Sequence, residues 1–234
     1  MTNEQQQLRS PPLRRPIVTG ASGDEPDERK AMLVVAIDVG GWKKIGWAAS
    51  NGRSGTGVDL ASILTEVAVA LDQGTPVALG FEAPIWTPRR EDLSRITGRR
   101  LGAEMAFNRA WSAGAGCGVL AAGLGLMPWC FSFVAQNTKQ RLATTNPLAL
   151  LERGKGLFVW EAFVSGHAKA LTHVDDASLA LTAFQARGLT EASDIPGEPA
   201  VNLAAAALMA TGWSIDPWEI GGPGHVIAVG LNAA

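Results

Sequence analysis

The chain has 234 residues, 47% of them hydrophobic and 18% charged, with a formal net charge of −2. That length and balance predict one sizeable globular domain with a real core and exclude a disordered chain. They also exclude a molecule-wide basic surface, so any nucleic-acid site has to be a local patch.

Residues 1–30 are polar, carry Pro-Pro and Arg-Arg steps and lack an apolar secretory segment. They predict a flexible N-terminal tail, with residues 31–234 forming a single domain. Residues 32–39, rich in Val and Ile without polar alternation, predict a central strand covered on both faces. Gly40-Gly41 is a turn signal, and residues 44–49 then read as a second strand of a hairpin, with a short third strand at 55–58. Over 58–74, Leu60, Ile63, Leu64, Val67, Ala68 and Leu71 recur at helical spacing, with Asp59 as N-cap and Gly74 as C-cap. Residues 76–84 predict a strand that Pro84 ends, with Glu82 near its C-terminal end. A polar connection, 85–109, leads to a helix around 110–125, a strand over "PWCFSFVA" and a helix over 139–153 that contains Pro147. A strand at 156–163 holds Glu161; helices follow at 173–187 and 201–211, and an apolar strand at 225–231. The stretch 110–138 has no charge, but its glycines and Pro128 make it a core segment rather than a membrane span. Cys117 and Cys130 have no CxxC spacing and predict two buried thiols in a reducing, cytoplasmic setting. A hairpin followed by alternating strands and helices predicts a mixed α/β sheet.

Four groups carry the chemistry. Asp38 and Glu82 each stand at the C-terminal end of a strand, where a carboxylate either caps a turn, pairs with an arginine or faces a cleft. The helix at 173–187 opens with His173, Asp175 and Asp176; His173 and Asp176, three apart, share a face, while Asp175 suits the helix dipole. Two unit charges about 4 Å apart cost ~4 kcal/mol at an effective dielectric near 20, so three clustered acids need a cation. Hard oxygen ligands select Mg²⁺ or Mn²⁺. Two such ions can clamp the attacking water and the leaving oxygen of a phosphodiester, with His173 as a ligand or a proton relay.

"AIDVGGWKKIGWA", "ALGFEAP", "NRAW", "VWEAF" and "HVDDASLALTAF", in that order, resemble the RNase H-like nuclease superfamily and its Holliday-junction resolvase branch. They are most similar to the predicted RNase H-like nuclease family (domain of unknown function 429), over roughly residues 33–187. The resemblance implies a mixed five-stranded RNase H-like sheet flanked by helices. It implies a divalent-metal-dependent nuclease with Asp38, Glu82 and Asp176 as the metal-binding acids and His173 or Asp175 completing the set. In that superfamily's resolvase branch the acids lie on the first strand, the fourth strand and the last helix. The chain departs from the family in having Phe81-Glu82 for Ile-Asp, and His173 with Asp176 for Asp-x-x-Asp.

Residues 87–100 hold Arg89, Arg90, Arg95, Arg99 and Arg100 against two acids, and Arg109 follows. They read as a solvated loop or as a phosphate-gripping element, with Trp86 and Trp111 placed to stack on bases or to pack. Glu161, inside an aromatic strand, reads as structural. The small-residue run 203–210 can pack a homodimer or close the core. Two rival functions stand beside the nuclease: a catalytically silent RNase H-like module that binds nucleic acid or protein, and a relative of the sugar-kinase and actin-type ATPases. The second lacks a further Asp-x-Gly turn and the length for two lobes.

Overall fold

The computed structural model describes residues 31–230; the tail assigned to residues 1–30 lies outside them. Strand β1 (Leu33–Asp38) turns through Trp42–Lys44 into β2 (Gly46–Ala49) and β3 (Ser54–Thr56). Helix α1 (Leu60–Asp72) leads to β4 (Val77–Glu82) and the short β5 (Trp86–Pro88). Next come α2 (Ala103–Ala106), α3 (Gly114–Asn137), β6 (Ala143–Thr144), α4 (Pro147–Arg153) and β7 (Leu157–Val164). Helix α5 (His173–Arg187), β8 (Ala200–Asn202), α6 (Leu203–Ala210) and β9 (Val226–Val229) complete the order.

The expected α/β class is observed: a mixed sheet runs β3-β2-β1-β4-β7-β6, and β9 also pairs with β7. The β1–β2–β3 ribbon is antiparallel, whereas β1, β4, β7, β6 and β9 run parallel. The sheet has seven strands, not five, because β6 and β9 share one edge of β7: β6 takes Leu157 and Phe158, and β9 takes Glu161–Val164. β5 and β8 form a separate ribbon.

Side chains alternate between two buried faces. Val35, Ile37, Val77, Leu79 and Phe81 pack with α1, α3 and α6, while Val34, Ala36, Ala78, Phe158 and Trp160 pack with α5. This two-sided covering explains why β1 shows no polar alternation. Gly80 belongs to the second face, where a Cβ would stand 2.3 Å from the Trp160 ring; its absence lets the indole cross the sheet.

The sequence reading needs correction in four places. "PWCFSFVA" is helical, the second half of α3, because Met127, Cys130, Phe131, Val134 and Ala135 are buried at spacings of three and four; a short apolar run alone does not separate strand from buried helix. The helix expected from 139 starts only at Pro147, where the Asn146 side chain accepts from the Leu148 N–H at 3.1 Å and proline occupies the first helical position. Cys117 is exposed, while Cys130 is buried; both are free thiols. Asp59 sits at the α1 N-cap without a side-chain capping bond. Helix α3 is long and apolar enough to cross a membrane by length and composition, with mean hydropathy 1.7 and 28% of that stretch buried; its contacts are with α1, α6 and β4. The small-residue helix α6 buries Ala204, Ala205 and Leu208 in the core against α3.

Candidate metal centre

Asp38 and Glu82 are the last residues of β1 and β4 and lie opposite one another in the parallel register. Counted back in twos, they share the face of Val34, Ala36 and Ala78, which α5 covers. Helix α5 comes close because Gly46, the β2 partner of Asp38, has no Cβ; one would stand 2.2 Å from the His173 backbone carbonyl carbon. The Thr172 side chain accepts from the Asp175 N–H at 3.1 Å and fixes the first turn of α5 there. Asp176 then hangs over the two strand ends.

The three carboxylates are buried, 2%, 8% and 3% exposed for Asp38, Glu82 and Asp176. One oxygen from each lies within 4.8 Å of the others. With a small inward movement, oxygens that close can converge on one hard cation, whose oxygen ligands lie ~2.0–2.6 Å away. The donor set therefore fits a divalent ion.

Three devices keep the cluster tolerable as it stands. His173 Nδ1 meets Asp38 Oδ2. Lys169 Nζ lies 2.6 Å from Glu82 Oε1 and 2.9 Å from Asp176 Oδ2. The Ala170 N–H donates to Asp176 Oδ1 at 2.7 Å. Glu82 Oε2 is buried without a partner. Burial first, and the Asp38 charge second, push the Glu82 carboxyl up to about 9, so it keeps its proton at neutral pH.

Not every expected residue joins the cluster. Asp175 is exposed and its carboxylate accepts from the Thr172 hydroxyl at 2.7 Å, so it caps the helix and does not face the triad. Arg100 is no phosphate contact. It is fully buried, 2.8 Å from Glu104 and 2.5 Å from Glu161, with its guanidinium 4.7 Å from the Trp86 ring centre. The cause is strand parity: Glu161 of β7 points to the face opposite the triad, and a carboxylate buried there needs a cation from the loop. The same contact takes Trp86 out of reach of any base. Arg90 is also internal, pairing with Glu198 at 3.0 Å and donating to the carbonyls of Arg95, Gly98 and Arg99. Arg89, Arg95, Arg99 and Arg109 remain exposed.

Lys169 is the functional group that the sequence reading missed. It follows a short turn, Gly166–Ala168, with no periodicity to aim its side chain. Its one sequence signal is position, seven residues before Asp176 in the approach to α5. A cavity of about 120 Å³ opens beside the triad, with Glu82 and Lys169 in its lining. Comparison with known protein families, curated proteins and solved structures finds no match to the chain.

Proposed function

We propose that the protein is a divalent-metal-dependent nuclease of RNase H-like type, which hydrolyses phosphodiester bonds with water. One observation carries this reading: three buried acids from β1, β4 and α5 each offer an oxygen within 4.8 Å of the others. Asp38 and Glu82 stand on the first and fourth strands, as the resemblance implies, while Asp176 opens α5, which α6 follows. Mg²⁺ or Mn²⁺, held by Asp38, Glu82 and Asp176, would supply a Lewis acid and lower the pKa of a bound water. Asp175, turned toward Thr172, adds no ligand for a second ion, so the triad accounts for one.

The chain's own groups divide the remaining work. His173, paired with Asp38 and 44% exposed, would be the group to take a proton from the attacking water. Lys169, which binds Glu82 and Asp176, would be left to pair with a phosphate if those two acids held the ion. A nuclease assay with Mn²⁺ on single-stranded, duplex, hybrid and branched substrates tests the reading. Asp38→Asn is expected to abolish cutting while the protein stays folded; cutting that survives in that variant overturns the assignment.

A second reading has its own support. Lys169 already engages two of the acids, Glu82 and Asp176, which suits a catalytically silent module that binds nucleic acid through the exposed arginines. Mn²⁺ raises the melting temperature of the nuclease and leaves that of the silent module unchanged.

A further inference from the structure

The cavity beside the acidic centre measures about 120 Å³, several times the ~10–15 Å³ that one water needs. Its accessible lining is mainly apolar, from residues that include Pro84, Trp111, Val119 and Phe163, and Glu82, Glu104, Arg109, Glu161 and Lys169 line it too. An apolar chamber is a poor host for a second phosphate, because the charge would lose its hydration. It is a good host for the flat, uncharged part of a nucleotide.

We propose that this cavity receives one unpaired nucleobase next to the phosphate held at the acidic centre, which makes the substrate class single-stranded nucleic acid. The inference rests on the hydrolytic reading above. The walls are fixed in advance: the Trp111 indole donates to the Gly98 carbonyl at 3.1 Å, and the Phe163 ring lies 5.8 Å from Phe107. Glu104 and Glu161, which also line the cavity, are held by their ion pairs with Arg100. Arg109 lines the same cavity, is exposed and forms no ion pair among the described residues, so it is free to meet the adjoining phosphate. A base reaches a walled cavity only by leaving its stack. A paired base must also give up its partner to do so, and an unpaired one need not. The surface argues the same way. With Arg90 and Arg100 turned inward, Arg89, Arg95 and Arg99 are the exposed arginines left on that loop, too few to neutralise the phosphates of a long duplex.

The test uses the full chain and three labelled probes of equal length: a single strand, a strand built wholly of abasic sugars, and a blunt duplex. Binding is read by anisotropy in EDTA and cutting by gel in Mn²⁺. The wild-type protein is expected to bind the intact single strand at least tenfold tighter than either other probe. Val119→Trp, which fills the cavity, should bring the intact strand down to the abasic level. Should that variant fail to fold, Ala115→Trp at the exposed rim serves instead. Equal binding of all three probes, or a folded cavity-filled variant that still prefers bases, overturns the proposal. Mn²⁺-dependent cutting of all three at one rate upholds hydrolysis and removes the base site. Base-dependent binding with no cutting upholds the base site and removes hydrolysis.

Discussion

The Lys169 ammonium binds Glu82 and Asp176, two of the three acids that a divalent ion would use. The two cations compete for the same oxygens, so each weakens the other's hold. Lys169→Met is expected to tighten Mn²⁺ binding about tenfold, or ~1.4 kcal/mol, and to lower the melting temperature in EDTA; calorimetric titration and thermal melts read both. The Glu82 proton adds a pH dependence. Its pKa is about 9 in the folded protein, against ~4.3 in an unfolded chain. Between those values the folded, metal-free protein holds a proton that the unfolded chain has released, so its stability falls as pH rises through that window. A metal ion must expel the same proton, so its apparent affinity climbs over the window. The gain in melting temperature on adding Mn²⁺ should be larger at pH 8 than at pH 6, and Glu82→Gln should flatten that difference. Asp38, Glu82 and Asp176 were legible in the sequence because an acid ending an apolar strand, or facing the core from a helix, stands out against its neighbours. Lys169 was not, since a lysine in an irregular segment is expected to face water.

At the scale of elements, strand alternation separates the acids into two groups. Asp38 and Glu82 face α5, whereas Glu161, one strand over, faces the other way and draws Arg100 into the core. Removing one member of a buried ion pair leaves its partner charged and unmatched, at ~3–5 kcal/mol. Arg100→Met should therefore lower the unfolding free energy by about that much in urea. Arg99→Met, one residue earlier on the surface, should change it by less than ~0.5 kcal/mol. Equal effects would show that Arg100 lies outside the core. Helix α5 could be read from the sequence at its observed bounds, because Thr172 and the His-x-x-Asp opening mark its start and Gly188 its end. The second half of α3 could not, because its small and apolar residues fit a strand as well as a helix until the packing of α1 and α6 against it decides. The arginine loop looked uniform in sequence; which arginines turn inward depends on Glu198 and Glu161, both far along the chain, as well as on the nearby Glu104.

For the whole molecule, class and order of elements followed from periodicity, since long central strands and amphipathic helices carry their own signal. The seven-strand count did not: the strand expected at 225–231 is present as β9, but β6 has only two residues, too few to carry a period, and exists only through its pairing with β7. The triad, at the carboxyl ends of β1 and β4, adjoins the cavity at the carboxyl ends of β4 and β7, where a mixed sheet leaves its crevice. One feature of that sheet reaches further. The outer margin of β7 is completed in two instalments, by a segment translated before it and by another close to the C-terminus. A polypeptide cut short of Val226 would bare amide and carbonyl groups along Glu161–Val164, residues that line the chamber. Such a remnant would recruit a strand from a neighbouring molecule and clump, so the final stretch acts as the clasp that keeps each copy to itself.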